Sequence, residues 1–293
     1  MVAKVTLLGL VGPTASGKTA LAIDIAKKYD GEIIAADSRT VYRGLDIGTA
    51  KPSPQEQSDI PHYGIDLVGP GDNFTVADFK LYANKKIKDI QNRGNLPILV
   101  GGSGLYIDAV LYDFSLVSGS KELRGELEGL SLEQLQDKIK QFGLTMPENL
   151  KNRRYLIRTL ERGQVESSKK PLPKGAIIIG VNPPKGVLRQ RIEERALLMV
   201  KSGVIEEVKN GGKLYGWGSA AMTGGIYRAF KGVVEGEKTI DQGIAEFILS
   251  DLRLAKKQLT WFKRNKDIHW FKDSKGALDW FNKEVQGKLI ACD

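Results

Sequence analysis

Cysteine and histidine are nearly absent from this chain. Its one cysteine, Cys292, stands at the extreme end, and its two histidines, His62 and His269, lie far apart. That excludes disulfides and cysteine metal clusters and leaves no ligand set for a structural zinc. Long apolar runs are missing as well. No stretch approaches the ~20 residues of a membrane span. The N-terminus lacks a charged-then-apolar signal pattern, and Val5–Val11 is too short to supply one. A cytoplasmic protein with no membrane partner is the expectation. Internal repeats and low-complexity tracts are also missing.

What is present is an ordinary globular composition, 41% hydrophobic and 27% charged, over 293 residues. That length suits one large or two modest domains with a real core. The net charge is +9. An excess of this size suits a polyanionic partner such as nucleic acid if it is focused, and means only solubility if it is spread evenly.

Residues 1–112 alternate strand and helix. Short apolar runs at Val5–Val11, Glu32–Ala36 and Leu96–Val100 read as buried parallel strands. Lys18–Lys28 and Val76–Asn92 read as helices. Such alternation predicts an α/β fold, a P-loop NTPase-like parallel sheet flanked by helices, with its site at the carboxyl ends of the strands. Gly44–Pro70 is rich in Gly, Pro and Asp and reads mostly as loop. Residues 113–171 change character: helical periodicity appears in Leu132–Phe142 and Asn149–Arg162, around glycine-punctuated pieces near 119–129. The expectation is a small helical insertion, joined by the linker Glu166–Lys174 to a core formed from 1–112 and 172–293. In that second core portion Ala176–Val181 reads as a buried strand. Leu188–Lys209 reads as one long helix, and Thr239–Lys283 as helical.

The chain is organised around Gly12-Pro13-Thr14-Ala15-Ser16-Gly17-Lys18-Thr19, which fits the phosphate-cradling P-loop pattern G-x-x-x-x-G-K-[ST]. The glycines let successive N–H groups point inward, and the following helix presents its positive end to the same spot. Lys18 would reach the phosphates and the Thr19 hydroxyl would hold Mg²⁺. Most such loops bind nucleotides, ATP above all, but some hold a leaving pyrophosphate. The second strand delivers Asp37-Ser38-Arg39-Thr40. Asp37 there is either a carboxylate that takes a proton or binds Mg²⁺ through water, or a turn cap. The third strand ends Gly101-Gly102-Ser103-Gly104, with no acid for a metal. Its glycines either let another molecule's base approach or make a tight strand-to-helix turn.

Positive charge is focused. Lys151, Arg154, Arg158 and Arg162 fall within an arc of about 80° of one predicted helix, opposite Leu156, Ile157 and Leu160. Residues 151–162 carry five basic groups against one acid, and 251–270 six against two. These two stretches hold most of the net charge. In the second, Ile244, Phe247, Ile248, Ala255, Leu259 and Phe262 share a face opposite Arg253, Lys257, Thr260 and Arg264, with Trp261 and Trp270 interleaved. Unpaired cations of one sign suit a phosphate backbone, although a solvated face is the commoner origin of such a stripe. Arg191 and Arg195 share a face of another helix. They either close over a phosphate or pair with local acids such as Glu194.

Taken together, these stretches resemble the bacterial tRNA dimethylallyltransferases, or tRNA isopentenyltransferases. The matching pieces are GPTASGKT at 12–19, ADSRTVYRGLDIGTAKP at 36–52, PHYGIDLV at 61–68 and GGSGLYI at 101–107. Later come NRRYLIRTLE at 152–161, RIEER at 191–195, GVIEEV at 203–208 and AKKQLTWFKR at 255–264. They span nearly the whole chain. The resemblance implies transfer of a dimethylallyl group from dimethylallyl pyrophosphate to N6 of adenosine 37, in tRNAs reading codons that start with U. It makes Asp37 the general base, Ser103 the group that places the amine, and Lys18 with the 12–19 loop the holder of the pyrophosphate, with Mg²⁺ at Thr19. It places tRNA contacts, on the anticodon stem-loop, at Asp37, Ser38, Arg39, Thr40, Ser103, Arg154, Tyr155, Leu156, Ile157, Arg158 and Lys257, in an enzyme acting as a monomer. Three departures stand out: Ser103 where the family often has Thr, Thr40 where it often has Gln, and Ala221–Arg228, in which the usual Ile-Gly order is exchanged and Thr223 stands for a long polar residue. A P-loop kinase of small molecules or nucleotides is the alternative, with the arginine helix as its lid. A non-catalytic RNA-binding protein is a third reading.

Overall fold

A computed structural model describes residues 5–114, 121–164 and 169–290. Cys292, residues 119–120 of the glycine-punctuated stretch and 166–168 of the linker lie outside the described residues. The chain divides into two compact units, Met1–Leu111 with Leu172–Asp293, and Tyr112–Pro171.

The larger unit begins β1 (Leu7–Val11), α1 (Lys18–Lys28), β2 (Gly31–Ala35), α2 (Pro54–Asp59), β3 (His62–Tyr63), α3 (Val76–Asn92), β4 (Leu96–Gly101) and α4 (Gly104–Leu111). The smaller unit holds α5 (Lys121–Glu128), α6 (Leu132–Gln141) and α7 (Arg153–Arg162). The chain then returns to the larger unit with β5 (Ala176–Val181), α8 (Lys185–Lys201), α9 (Val204–Tyr215), a 3₁₀ turn (Ala221–Thr223), α10 (Gly225–Val234), α11 (Ile240–Phe262), β6 (Ile268–Phe271) and α12 (Ser274–Ile290).

The strands form a mixed α/β fold around one parallel six-stranded sheet, ordered β3-β2-β4-β1-β5-β6. Val11 stands opposite both Gly101 and Gly180, and Ala35 opposite Val100. The loops after β1, β2 and β4 therefore leave the sheet at one level and side by side. Alternate strand residues explain the core: Leu8, Leu10, Ile33, Ile98, Val100, Ile177 and Ile179 are buried together with Leu21 and Ile25 of α1 and Phe281 of α12. A second cluster joins Val41, Tyr42 and Leu45 to Val204, Val208, Met222, Tyr227, Phe230 and Phe247. Helix starts follow local chemistry. Thr75 with Asp78, Ser131 with Gln134 and Thr239 with Gln242 each form a reciprocal capping box.

Two sequence expectations need correction. The long helix over Leu188–Lys209 is two helices, because Gly203 adopts φ 95° and turns the chain between α8 and α9. Thr239–Lys283 is not helical throughout but contains β6, while Gly44–Pro70 is mostly loop as expected, with the short α2 and β3 inside it. Both missed strands are the edges of the sheet, where one side faces no strand and the apolar signal is weakest.

Candidate active site

Helix α1 begins at Lys18 with Gly17 (φ 92°) as its N-cap, with no side-chain cap and no acid in its first turn. Its leading N–H groups are thus left for a ligand. Ahead of it, the loop folds back on itself through Ser16 N–H to the Pro13 carbonyl (3.2 Å). Ser16 is buried, and among the described residues its hydroxyl has no partner. Lys18 Nζ donates to the Pro13 carbonyl (3.1 Å). Desolvation lowers the Lys18 pKa to about 8; the Asp37 charge works against this and Arg195 adds to it. A desolvated ammonium is a ready counter-ion for an arriving anion.

Asp37 and Ser103 leave neighbouring strands. The Ser103 Oγ accepts the Ser38 N–H (3.3 Å), and Asp37 Oδ1 accepts the Arg39 N–H (2.8 Å). Asp37, Ser38 and Ser103 are half-buried. Thr40 is buried, its hydroxyl turned to the Asp37 carbonyl (3.4 Å). The expectation of an RNA contact from Thr40 is corrected: the residue closes the turn from inside.

The far end of the chain closes over these loops. Gln258 Oε1 accepts the Thr14 N–H (2.8 Å). Its amide fills the space beside Gly102, and the Trp261 indole fills the space beside Gly104. Trp261 Nε1 also donates to Asp108 Oδ2 (3.2 Å). The space beside two of the glycines after β4, Gly102 and Gly104, is thus taken by side chains of α11. Arg191 Nη1 donates to the Ser16 carbonyl (3.1 Å), so this arginine reaches the loop and is not paired with Glu194, which holds Gln190. Ser274, at the start of α12, donates to the Gly17 carbonyl (3.3 Å). Arg195 pairs with Asp251, whose carboxyl is pushed up by burial. Gln258 and Ser274 were not singled out as site residues. Gln258 lies within the 255–264 stretch, next to Lys257, which is exposed.

In the smaller unit, α7 starts at Arg153, with Asn152 as its cap. Lys151 therefore precedes the helix, and the predicted stripe shortens to Arg154, Arg158 and Arg162. Arg158 is not a bare cation: its Nη1 donates to Glu161 Oε2 (3.1 Å), while Arg124 holds Glu161 Oε1 (3.4 Å). Leu156 and Ile157 are corrected as RNA contacts. They are buried with Leu127, Leu135 and Ile139 in the core of this unit. Tyr155 and Arg154 are exposed.

No group of three or more His, Cys, Asp or Glu able to hold a metal occurs among the described residues. The loop hydroxyls are a different donor set. Thr19 is exposed at the start of α1, and hydroxyl oxygen suits Mg²⁺, which keeps water and substrate phosphates as most of its ligands. No described helix is long and apolar enough to cross a membrane.

Comparison with known proteins adds an independent line. A model described as IPP transferase matches residues 40–265, and one described as Isopentenyl transferase matches residues 5–66. A tRNA dimethylallyltransferase of Pediococcus pentosaceus is 41% identical over 90% of this chain and 90% of its own. One of Macrococcus caseolyticus is 36% identical over 98% and 96%. The crystal structure of the full-length tRNA isopentenylpyrophosphate transferase of Bacillus halodurans superposes with a TM-score of 0.75 at 33% identity, covering 98% of each chain. A eukaryotic dimethylallyltransferase acting on tRNA shares the fold, with a TM-score of 0.78 at 20% identity over 96% of this chain and 79% of its own.

Proposed function

The chain belongs to the IPP transferase family of tRNA dimethylallyltransferases, and from that premise we propose how its own residues carry the transfer. The dimethylallyl group passes from dimethylallyl pyrophosphate to N6 of adenosine 37, in tRNAs that read codons starting with U. The bond from C1 to the bridging oxygen breaks and its electron pair leaves with the pyrophosphate. The N6 lone pair forms the new C1–N bond, and the N6 proton goes to the Asp37 carboxylate. An allylic carbon tolerates developing positive charge, so holding the departing pyrophosphate is the larger task. The uncapped N–H groups at the start of α1, Lys18 and Arg191 do this. An arriving pyrophosphate favours the charged form of Lys18, against the desolvation that depresses its pKa in the free chain. The Thr19 hydroxyl, together with substrate phosphates, would hold Mg²⁺, which supplies further charge neutralisation when bound.

Exocyclic adenine nitrogen is a weak nucleophile and must be held in line. Ser103, tied to the Ser38 N–H, places it beside Asp37. The base must leave its stack to arrive there. Ser38 and Lys257 in the larger unit contact the anticodon stem-loop, and α7, through Arg154, Tyr155 and Arg158, gives the smaller unit a tRNA contact of its own, in an enzyme working as a cytoplasmic monomer. The observation that carries this reading is the emergence of the 12–19 loop, Asp37 and Ser103 at one level from adjacent strands. Family membership sets the kinase alternative aside.

The test mixes the protein with Mg²⁺, labelled dimethylallyl pyrophosphate and unmodified tRNA bearing A36-A37-A38. Label is expected on A37. Asp37→Ala is expected to abolish transfer and keep tRNA binding. Label on another nucleotide, or ATP turnover in place of transfer, refutes the reading; equal loss of binding and transfer refutes the base.

A further inference from the structure

The segment that carries Asp37 is anchored by residues far along the chain. Arg39 Nη1 donates to the Ala220 carbonyl (2.7 Å) and to Thr223 Oγ1 (2.8 Å), partners 181 and 184 positions away. Thr223 Oγ1 in turn donates to the same Ala220 carbonyl (2.7 Å). The three groups close a triangle. Its base is rigid, since Ala221 and Met222 of the 3₁₀ turn are buried. Just beyond, Tyr227 donates to Glu207 (2.9 Å), whose carboxylate also accepts the N–H groups of Asp46, Ile47 and Gly48.

Arg39 works at both ends. Its guanidinium is held by the turn, while its backbone N–H donates to Asp37 Oδ1 (2.8 Å). Among the described residues Asp37 Oδ2 has no protein partner. One oxygen of the carboxylate is therefore held and the other is left to accept a proton. We propose that Thr223 is a positioning residue for the transfer reaction: through Arg39 it fixes which oxygen of Asp37 faces the acceptor amine. The assignment rests on Asp37 being the general base. It also makes the Arg39 guanidinium an internal strut and not a ligand of RNA phosphate, although the family resemblance places it at the tRNA.

Four variants test it: Thr223→Val, Thr223→Ser, Arg39→Met and Asp37→Asn. Each is measured for kcat, for KM toward tRNA and for the salt dependence of tRNA binding. Thr223→Val keeps the volume and removes the hydroxyl. It is expected to lower kcat on the order of tenfold, as a loosened reacting group does, with KM for tRNA and the salt slope unchanged. Thr223→Ser is expected to restore kcat. Arg39→Met, the second route to the same loss should Thr223→Val fold poorly, is expected to lower kcat with an unchanged slope. An unchanged kcat in Thr223→Val, or a slope that falls by about one in Arg39→Met, overturns the proposal. Asp37→Asn separates the two readings. Full transfer by that variant refutes the base and with it the role of Thr223. Lost transfer there, beside an intact Thr223→Val, refutes only the positioning.

Discussion

Replacing Lys18 with Met should make the ligand-free protein more stable while ending its activity. Lys18 keeps its charge in surroundings that lower its pKa from 10.5 to about 8. At 1.36 kcal/mol per unit, the charged form costs the folded protein about 3 kcal/mol near neutral pH. The hydrogen bond to the Pro13 carbonyl returns about 1 kcal/mol net. Met retains the apolar stem without the charge, so the net gain is about 2 kcal/mol, or roughly 3–6 °C in thermal midpoint for a chain of this size. The sign with pH follows from the folded pKa lying below the unfolded one. Below pH 8 both states hold the proton and the penalty is constant. Between about 8 and 10.5 the unfolded chain binds more protons, so wild-type stability rises. Lys18→Met should lack that rise. The assay is thermal unfolding of both proteins from pH 6.5 to 10.5, without ligand and with inorganic pyrophosphate and Mg²⁺ (test conditions, on the order of the window set by these pKa values). Pyrophosphate should stabilise the wild type and scarcely affect the variant. A variant that melts below the wild type at neutral pH without ligand refutes the reasoning, because the ammonium would then be stabilising the empty loop.

Three other outcomes follow from the same geometry. Exchanging Arg154 and Arg162 together for Gln should reduce the salt slope of tRNA binding by about 1.5–2; an unchanged slope makes the stripe a solvated face. Glu32 is buried, and although desolvation works to raise its pKa, hydrogen bonds from Arg93, Asn95 and Tyr63 outweigh it and hold the carboxyl below its ordinary value. Its contribution should be present above pH 4.5 and lost as acid titrates it, and Arg93→Met, which leaves Glu32 only the Asn95 and Tyr63 donors, should lower stability in urea unfolding at pH 7 and have little effect once Glu32 is protonated. Gly104→Ala drives a methyl into the Trp261 indole and should cost about 1–3 kcal/mol by the same assay; a neutral result would mean that α11 yields at little cost.

The parts legible in the sequence are those in which neighbours in the chain are neighbours in space. The Gly12–Thr19 loop, the strands that flank it and the Asp37 turn are local patterns, and each occupies its expected place. The helix over Arg153–Arg162 was legible as an amphipathic unit, and its periodicity put Leu156 and Ile157 on the packed side, although the family resemblance had offered them to RNA. Partners contributed from afar were not legible. Nothing near Gly102 and Gly104 announces that residues 258 and 261 will occupy the room those glycines leave. Nothing near Arg39 announces Thr223. Charge counts also misread Arg158, because pairing with Glu161 depends on which rotamer faces which neighbour. The edge strands β3 and β6 escaped because half of their surface needs no apolar cover.

The reach of Gln258 onto Thr14 and of Ser274 onto Gly17 has a consequence for synthesis. A ribosome makes residues 12–19 more than two hundred positions before the residues that clasp them. Throughout translation the nascent chain carries the loop without its closing residues, and the smaller unit emerges between them. The loop takes its closed form only after residue 274 has been made. A chain halted before residue 258 would keep the opening motif but lack both of these contacts on it.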